Sequence, residues 1–82
     1  MNKLVEVKMG LYRHFKGNNY EVFDLAEHTE TNETLVIYRS VNRKRYCDNG
    51  IVYARPFDMF FSKVDKEKYS NVEQENRFEY LG

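Results

Sequence analysis

With one cysteine, Cys47, in 82 residues, the chain can form no internal disulfide. Small secreted domains usually rely on several such bridges, so a reducing cytoplasm is the expected setting. A net positive charge is also missing, because 13 basic residues balance 13 acidic ones. A neutral domain has no global field of the kind that captures DNA non-specifically, and any nucleic-acid role would need a local patch. Long apolar runs are absent as well. Nothing approaches the roughly 20 consecutive apolar residues of a membrane-spanning helix, and MNKLVEVKMG lacks the apolar core of a secretory signal. There is no internal repeat, no low-complexity tract, no glycine-rich phosphate loop, no paired-cysteine metal site and no serine or cysteine triad. No metal or cofactor is therefore expected, and an enzyme has no positive support.

What the chain does have is rings. Seven Tyr and six Phe can each bury about 150 to 250 Å², which compensates for short length. Residues 1–82 make one domain, since a domain typically holds about 100 to 150 residues and a second core has no room here.

Alternation and turn residues set the expected elements. Lys3 to Met9 alternates as a short strand, and Leu11 to Lys16 continues extended until Gly17-Asn18-Asn19, residues that tolerate a tight turn. Tyr20 to His28 forms the next strand, with Tyr20, Val22, Ala26 and His28 on one face and Glu21, Phe23, Leu25 and Glu27 on the other. Asp24 interrupts the first set, so either a bulge shifts the register there or both faces are partly covered. The polar run from His28 to Glu33 reads as a turn, Thr34 to Val41 as a strand, and Arg43 to Gly50 as a basic loop closing on Asn-Gly. Ile51 to Arg55 resumes as strand. Pro56 to Phe61 is expected as one helical turn with Phe57, Phe60 and Phe61 on a shared face. A brief strand at Ser62 to Val64, a polar loop from Asp65 to Asn76 and a closing strand from Arg77 to Leu81, zipping onto the first, complete the order. The pattern is mainly β: a small SH3-like or related β-barrel with one short helical turn near Pro56 to Phe61.

The blocks Gly10-Leu-Tyr-Arg-His-Phe-Lys-Gly17, Tyr20-Glu-Val22, His28-Thr-Glu-Thr31, Glu33, Val36-Ile-Tyr38, Arg55-Pro56, Met59-Phe60 and Arg77-Phe78 stand in this order along the chain. Together they resemble the small bacterial family called domain of unknown function 1653, over about residues 10–80. The resemblance implies a compact, mainly β, intracellular prokaryotic domain, and it implies no activity. Members of that family often carry a tryptophan just before the Arg-Pro pair, where this chain has Tyr53-Ala54, and the loop from Arg43 to Gly50 is unusually basic.

Candidate functional residues follow from polar groups set among rings. In Tyr12 to Lys16, alternation puts Tyr12, His14 and Lys16 on one face and Arg13 and Phe15 on the other, so that Phe15 enters the core if Arg13 sits at the barrel's rim. The ordinary alternative is one inward ring flanked by solvated groups. His28, Glu30 and Glu33 are of types that zinc accepts, but one imidazole with two carboxylates matches no tight metal spacing. Arg55, at a strand end, offers a guanidinium fork for a carboxylate or phosphate, with Glu30 or Glu33 as possible internal partners. Asp58 suits a structural place in the first helical turn. Cys47 has no evident base or helix terminus to activate it.

The leading expectation is a non-catalytic module that recognises a small anionic ligand or a protein partner through Arg13, His14, Lys16, His28, Glu30, Tyr38 and Arg55. One alternative is a small hydrolase or transferase using His14 or His28 as base, oriented by Glu30 or Glu33. A second is weak, salt-sensitive binding of RNA or single-stranded DNA through Arg43-Lys44-Arg45-Tyr46, three cations and a ring.

Overall fold

A computed structural model describes residues 7–41 and 51–82. The strand expected over Lys3 to Met9 falls mostly outside these residues, and 7–9 have no regular structure. The basic loop and Cys47 also lie outside them. Five strands and one helical turn follow in order: β1 (Gly10–His14), β2 (Asn19–Glu27), β3 (Thr34–Ser40), β4 (Val52–Pro56), α1 (Phe57–Phe60) and β5 (Phe78–Tyr80). The strands make one antiparallel sheet in the order β4-β3-β2-β1-β5. The closing strand does pair with the first, Tyr12 opposite Tyr80 and His14 opposite Phe78.

Among the described residues the sheet is not closed into the expected barrel. β4 and β5 stand at opposite edges, and α1 packs against β3 and β4, with the chain running on from it toward β5. That chain is tied down by the Arg77 amide donating to the Ser62 carbonyl at 2.8 Å and by a lone bridge between Lys63 and Asn76. The expected strand at Ser62 to Val64 is no more than this bridge. Pro56 also differs from expectation: with ψ at 142° it ends β4 in extended backbone, and the helical residues begin at Phe57.

Local chemistry explains the turns. Gly17 sits at φ 106°, a region that disfavours a Cβ, and the His14 amide donates to the Asn18 carbonyl at 2.8 Å to close the β1–β2 turn. In the β2–β3 turn Asn32 takes the left-handed conformation at φ 64° while its amide reaches the His28 carbonyl at 2.7 Å.

The irregularity at Asp24 is a bulge: Val22 pairs with Tyr38, Leu25 with Val36, and the register shifts between Val22 and Asp24. The extra residue reverses parity, so Leu25 rather than Ala26 turns inward to the core. The inner face carries Tyr12, Val22, Val36, Tyr38 and Phe78, all buried, and Phe60 of α1 is fully buried on top of them. Phe60 stacks on Phe78 with centroids 4.0 Å apart and meets Tyr12 and Tyr38 edge-on at 5.3 and 5.2 Å. Phe57 packs at the margin and Phe61 stays more than a third exposed, so the three phenylalanines share one core only in part.

The core ring of the opening segment is Tyr12, not Phe15. β1 stops at His14, the chain turns, and alternation no longer governs Phe15, which packs at the sheet's end against Tyr69 at 4.8 Å. The outer face carries cross-strand ion pairs: Arg13 with Glu79 at 2.7 Å and Arg39 with Glu21 at 3.3 Å. Among the described residues no helix is long and apolar enough to cross a membrane.

Candidate anion-binding pocket

Where β1 ends, its inward face leaves the core and begins a pocket. His14 is the last residue of the strand and points the same way as Tyr12, so its ring borders the core on one side, edge-on to Phe78 at 4.8 Å. Because the chain then turns, Lys16 and Asn18 fold over the same opening, and the Lys16 amide donates to His14 Nδ1 at 3.1 Å. Opposite them, alternation in β4 turns Tyr53 and Arg55 inward, each held by its neighbour on β3: Tyr38 lies opposite Tyr53 and Val36 opposite Arg55. Tyr20 from β2 fits between, edge-on to Tyr38 and Tyr53 at 5.4 and 5.9 Å.

The remaining wall comes from the polar segment before β5. Asp65 nucleates two turns there, accepting the Tyr69 amide at its carbonyl (2.8 Å) and the Glu67 amide at its carboxylate (3.1 Å). Gln74 then pins the segment to the sheet by donating to the Arg13 carbonyl at 3.0 Å. The result brings Tyr69 over Phe15 and sets Arg77 beside Phe78 at the pocket. The pocket, open to solvent on one side, measures about 320 Å³, at the small end of ligand pockets, which run from about 300 to 1,000 Å³.

Three cations line it, Lys16, Arg55 and Arg77, with no carboxylate among the described lining residues. Both guanidiniums are anchored at their bases. Arg55 Nε donates to the Tyr38 hydroxyl at 3.1 Å, and Arg77 Nε donates to Ser62 Oγ at 2.9 Å. Burial raises the pKa of the Tyr38 phenol, with the adjacent Arg55 opposing the rise. The phenol stays protonated, and since its oxygen accepts from Arg55 its own proton is left to donate. His14 is lowered from 6.5 to about 4, first by burial and then by Arg55, Arg77 and Lys16. Its ring is neutral at pH 7. With Nδ1 accepting the Lys16 amide, the proton sits on Nε2, and the imidazole presents a donor.

Of the residues expected from sequence, His14, Lys16, Tyr38 and Arg55 come together here. Arg13 does not; it lies on the outer face against Glu79 and Gln74. His28 and Glu30 sit in the β2–β3 turn, separated from Tyr20 by nearly the whole nine-residue β2, on the order of 25 Å at about 3.3 Å per residue. His28 Nδ1 accepts the Glu30 amide at 3.1 Å, so that ring organises its own turn. Arg55 pairs with a tyrosine rather than with Glu30 or Glu33, and Glu33 instead accepts from the Thr31 hydroxyl at 3.0 Å. Sequence reasoning missed Tyr20, Tyr53, Tyr69 and Arg77. Tyr53 was open to discovery, being two residues from Arg55 on one strand; Tyr69 stood out only as the lone ring of a polar segment.

A crystal structure of a DUF1653 protein from Bordetella bronchiseptica is similar to this chain at 29% identity and a TM-score of 0.70, covering 94% of this chain and 90% of that one. No curated protein matches the chain. The family described as "Protein of unknown function (DUF1653)" matches residues 10–80, the span that holds every described strand and every described lining residue of the pocket. The chain belongs to that family.

Proposed function

We propose that this domain is a binding module that holds a small anionic ligand in the pocket between the β1–β2 turn, β4 and the segment before β5. One observation carries the reading: three cations and a neutral imidazole donor face a ring-walled space that no described carboxylate enters. Cations left without acidic partners around a partly desolvated cavity favour a ligand that brings the missing charge, and charge-assisted hydrogen bonds are about twice as strong as neutral ones. The sheet then acts as the curved platform of an SH3-like module, with recognition at one end, and the single thiol suits work in the cytoplasm.

An acid–base enzyme finds less support. His14 has its Nδ1 lone pair taken and its Nε2 protonated, so no free lone pair is available to act as a base, and neither His28 nor Glu30 is near enough to share a proton with it. The nucleic-acid alternative at Arg43 to Tyr46 falls outside the described residues.

Calorimetric titration with inorganic phosphate tests the reading. Lys16→Gln removes one charge-assisted contact of about 1.5 to 3 kcal/mol and should weaken binding about tenfold or more. Arg39→Gln, a cation on the opposite face of the sheet, should leave affinity unchanged. Equal loss in both variants, or no binding at low salt, would show that the pocket is not an anion site.

A further inference from the structure

Resting on the anion-binding reading above, we infer that the pocket takes a phosphate monoester carried on a flat ring, the chemistry of a nucleoside monophosphate. The first argument is charge. Three formal positive charges line the site with no described carboxylate to offset them. A monocarboxylate would leave two of them uncompensated, whereas a phosphate monoester carries about −1.5 to −2 at pH 7 and presents three acceptor oxygens.

The second argument is how the guanidiniums are held. Arg55 and Arg77 each spend Nε on a protein hydroxyl, Tyr38 and Ser62 respectively, and neither has a carboxylate partner among the described residues. Each fork is thus fixed by its base, and no hydrogen bond to a described residue occupies its terminal nitrogens. That is a preorganised arrangement for an oxyanion with several oxygens rather than for one that fills a single fork.

The third argument is size and wall chemistry. The space of about 320 Å³ falls within the range of small-molecule pockets and is larger than a bare phosphate of five heavy atoms fills. The remainder is bounded by Tyr20, Tyr53 and Tyr69, whose faces and hydroxyls suit a planar group with polar edges better than an aliphatic chain.

The test is calorimetry of the intact protein at low salt with adenosine 5′-monophosphate, inorganic phosphate, adenosine, benzoate and a 5′-phosphorylated trinucleotide. The inference expects adenosine 5′-monophosphate to bind at least about tenfold tighter than phosphate, as one stacked ring supplies, and tighter than adenosine or benzoate. Tyr69→Leu, in a loop, and Tyr53→Leu, on the edge strand, should each erase that advantage, read as the ratio of mononucleotide to phosphate affinity within the same variant. Tighter binding of the trinucleotide than of the mononucleotide supports the same chemistry and identifies a strand end as its source. If the mononucleotide binds no better than phosphate, or benzoate matches it, the inference is overturned while the anion-binding reading survives. If neither phosphate nor the mononucleotide binds, both are overturned.

Discussion

Acidification should destabilise this protein through His14 at a pH where most carboxylates are still ionised. The folded pKa of about 4 lies below the 6.5 of an unconstrained imidazole, so as pH falls the unfolded chain takes up this proton before the folded one does. The contribution of His14 is fully present above pH 6.5 and is lost as pH falls toward 4. Across that gap, at about 1.36 kcal/mol per pH unit, the ceiling is about 3.4 kcal/mol. Because the ring is only half-buried and its cationic neighbours are partly screened by water, about 1 to 2 kcal/mol is the expected loss. Urea unfolding of the native protein and of His14→Gln at intervals from pH 7.5 to 4.5 isolates this share, since the carboxylates are common to both. The native protein should lose about 1 to 2 kcal/mol more than the variant over that range. Parallel curves, or an imidazole resonance of His14 that titrates near 6.5, would refute the reasoning.

Three further outcomes follow from the packing. Phe60 is fully buried against Phe78, Tyr12 and Tyr38, so Phe60→Ala should cost about 3 to 5 kcal/mol in denaturant unfolding, enough to threaten a domain of this size. Gly10, at φ 129° and with a hypothetical Cβ only 2.9 Å from the Gly82 carbonyl oxygen, should lose about 1 to 3 kcal/mol on mutation to Ala. Amide exchange at Leu81, which donates to the Leu11 carbonyl, should quicken in that variant. Arg13→Gln breaks a solvent-exposed pair with Glu79 and should cost under about 1 kcal/mol, with a high-salt melt showing little difference from the native protein.

Much of the fold was legible because local rules governed it. Gly17-Asn18-Asn19 and the polar run after His28 placed the β1–β2 and β2–β3 turns, and the broken alternation at Asp24 marked the bulge before its consequence was visible. That consequence, Leu25 facing inward, required knowing that Val36 sits opposite it. Closure was not legible for a similar reason. Alternation identifies strands but does not say which edges meet, and among the described residues β4 and β5 stay at opposite edges while Phe60 covers the inner face. The site divides along the same line. His14, Tyr38 and Arg55 share an inward parity set by neighbouring strands, so their types and alternation pointed to them. Tyr69 and Arg77 reach the pocket through contacts made at long range, the Gln74 amide on the Arg13 carbonyl and the Arg77 amide on the Ser62 carbonyl, and no spacing rule reveals those. Alternation set Arg13 on the face opposite His14, where the structure also has it, against Glu79; which of the two faces is the core face was not legible until the end of β1 at His14 decided for Tyr12.

The most direct measurement is a phosphate titration of the ¹⁵N-labelled protein followed by NMR, reading backbone amides together with the arginine Nε–H signals. Binding in the pocket predicts saturable shifts at the Lys16 and Asn18 amides and at Nε–H of Arg55 and Arg77, with Arg13 and Arg39 unmoved. Equal, non-saturating shifts at all arginines, or a response confined to the outer face of the sheet, would contradict it.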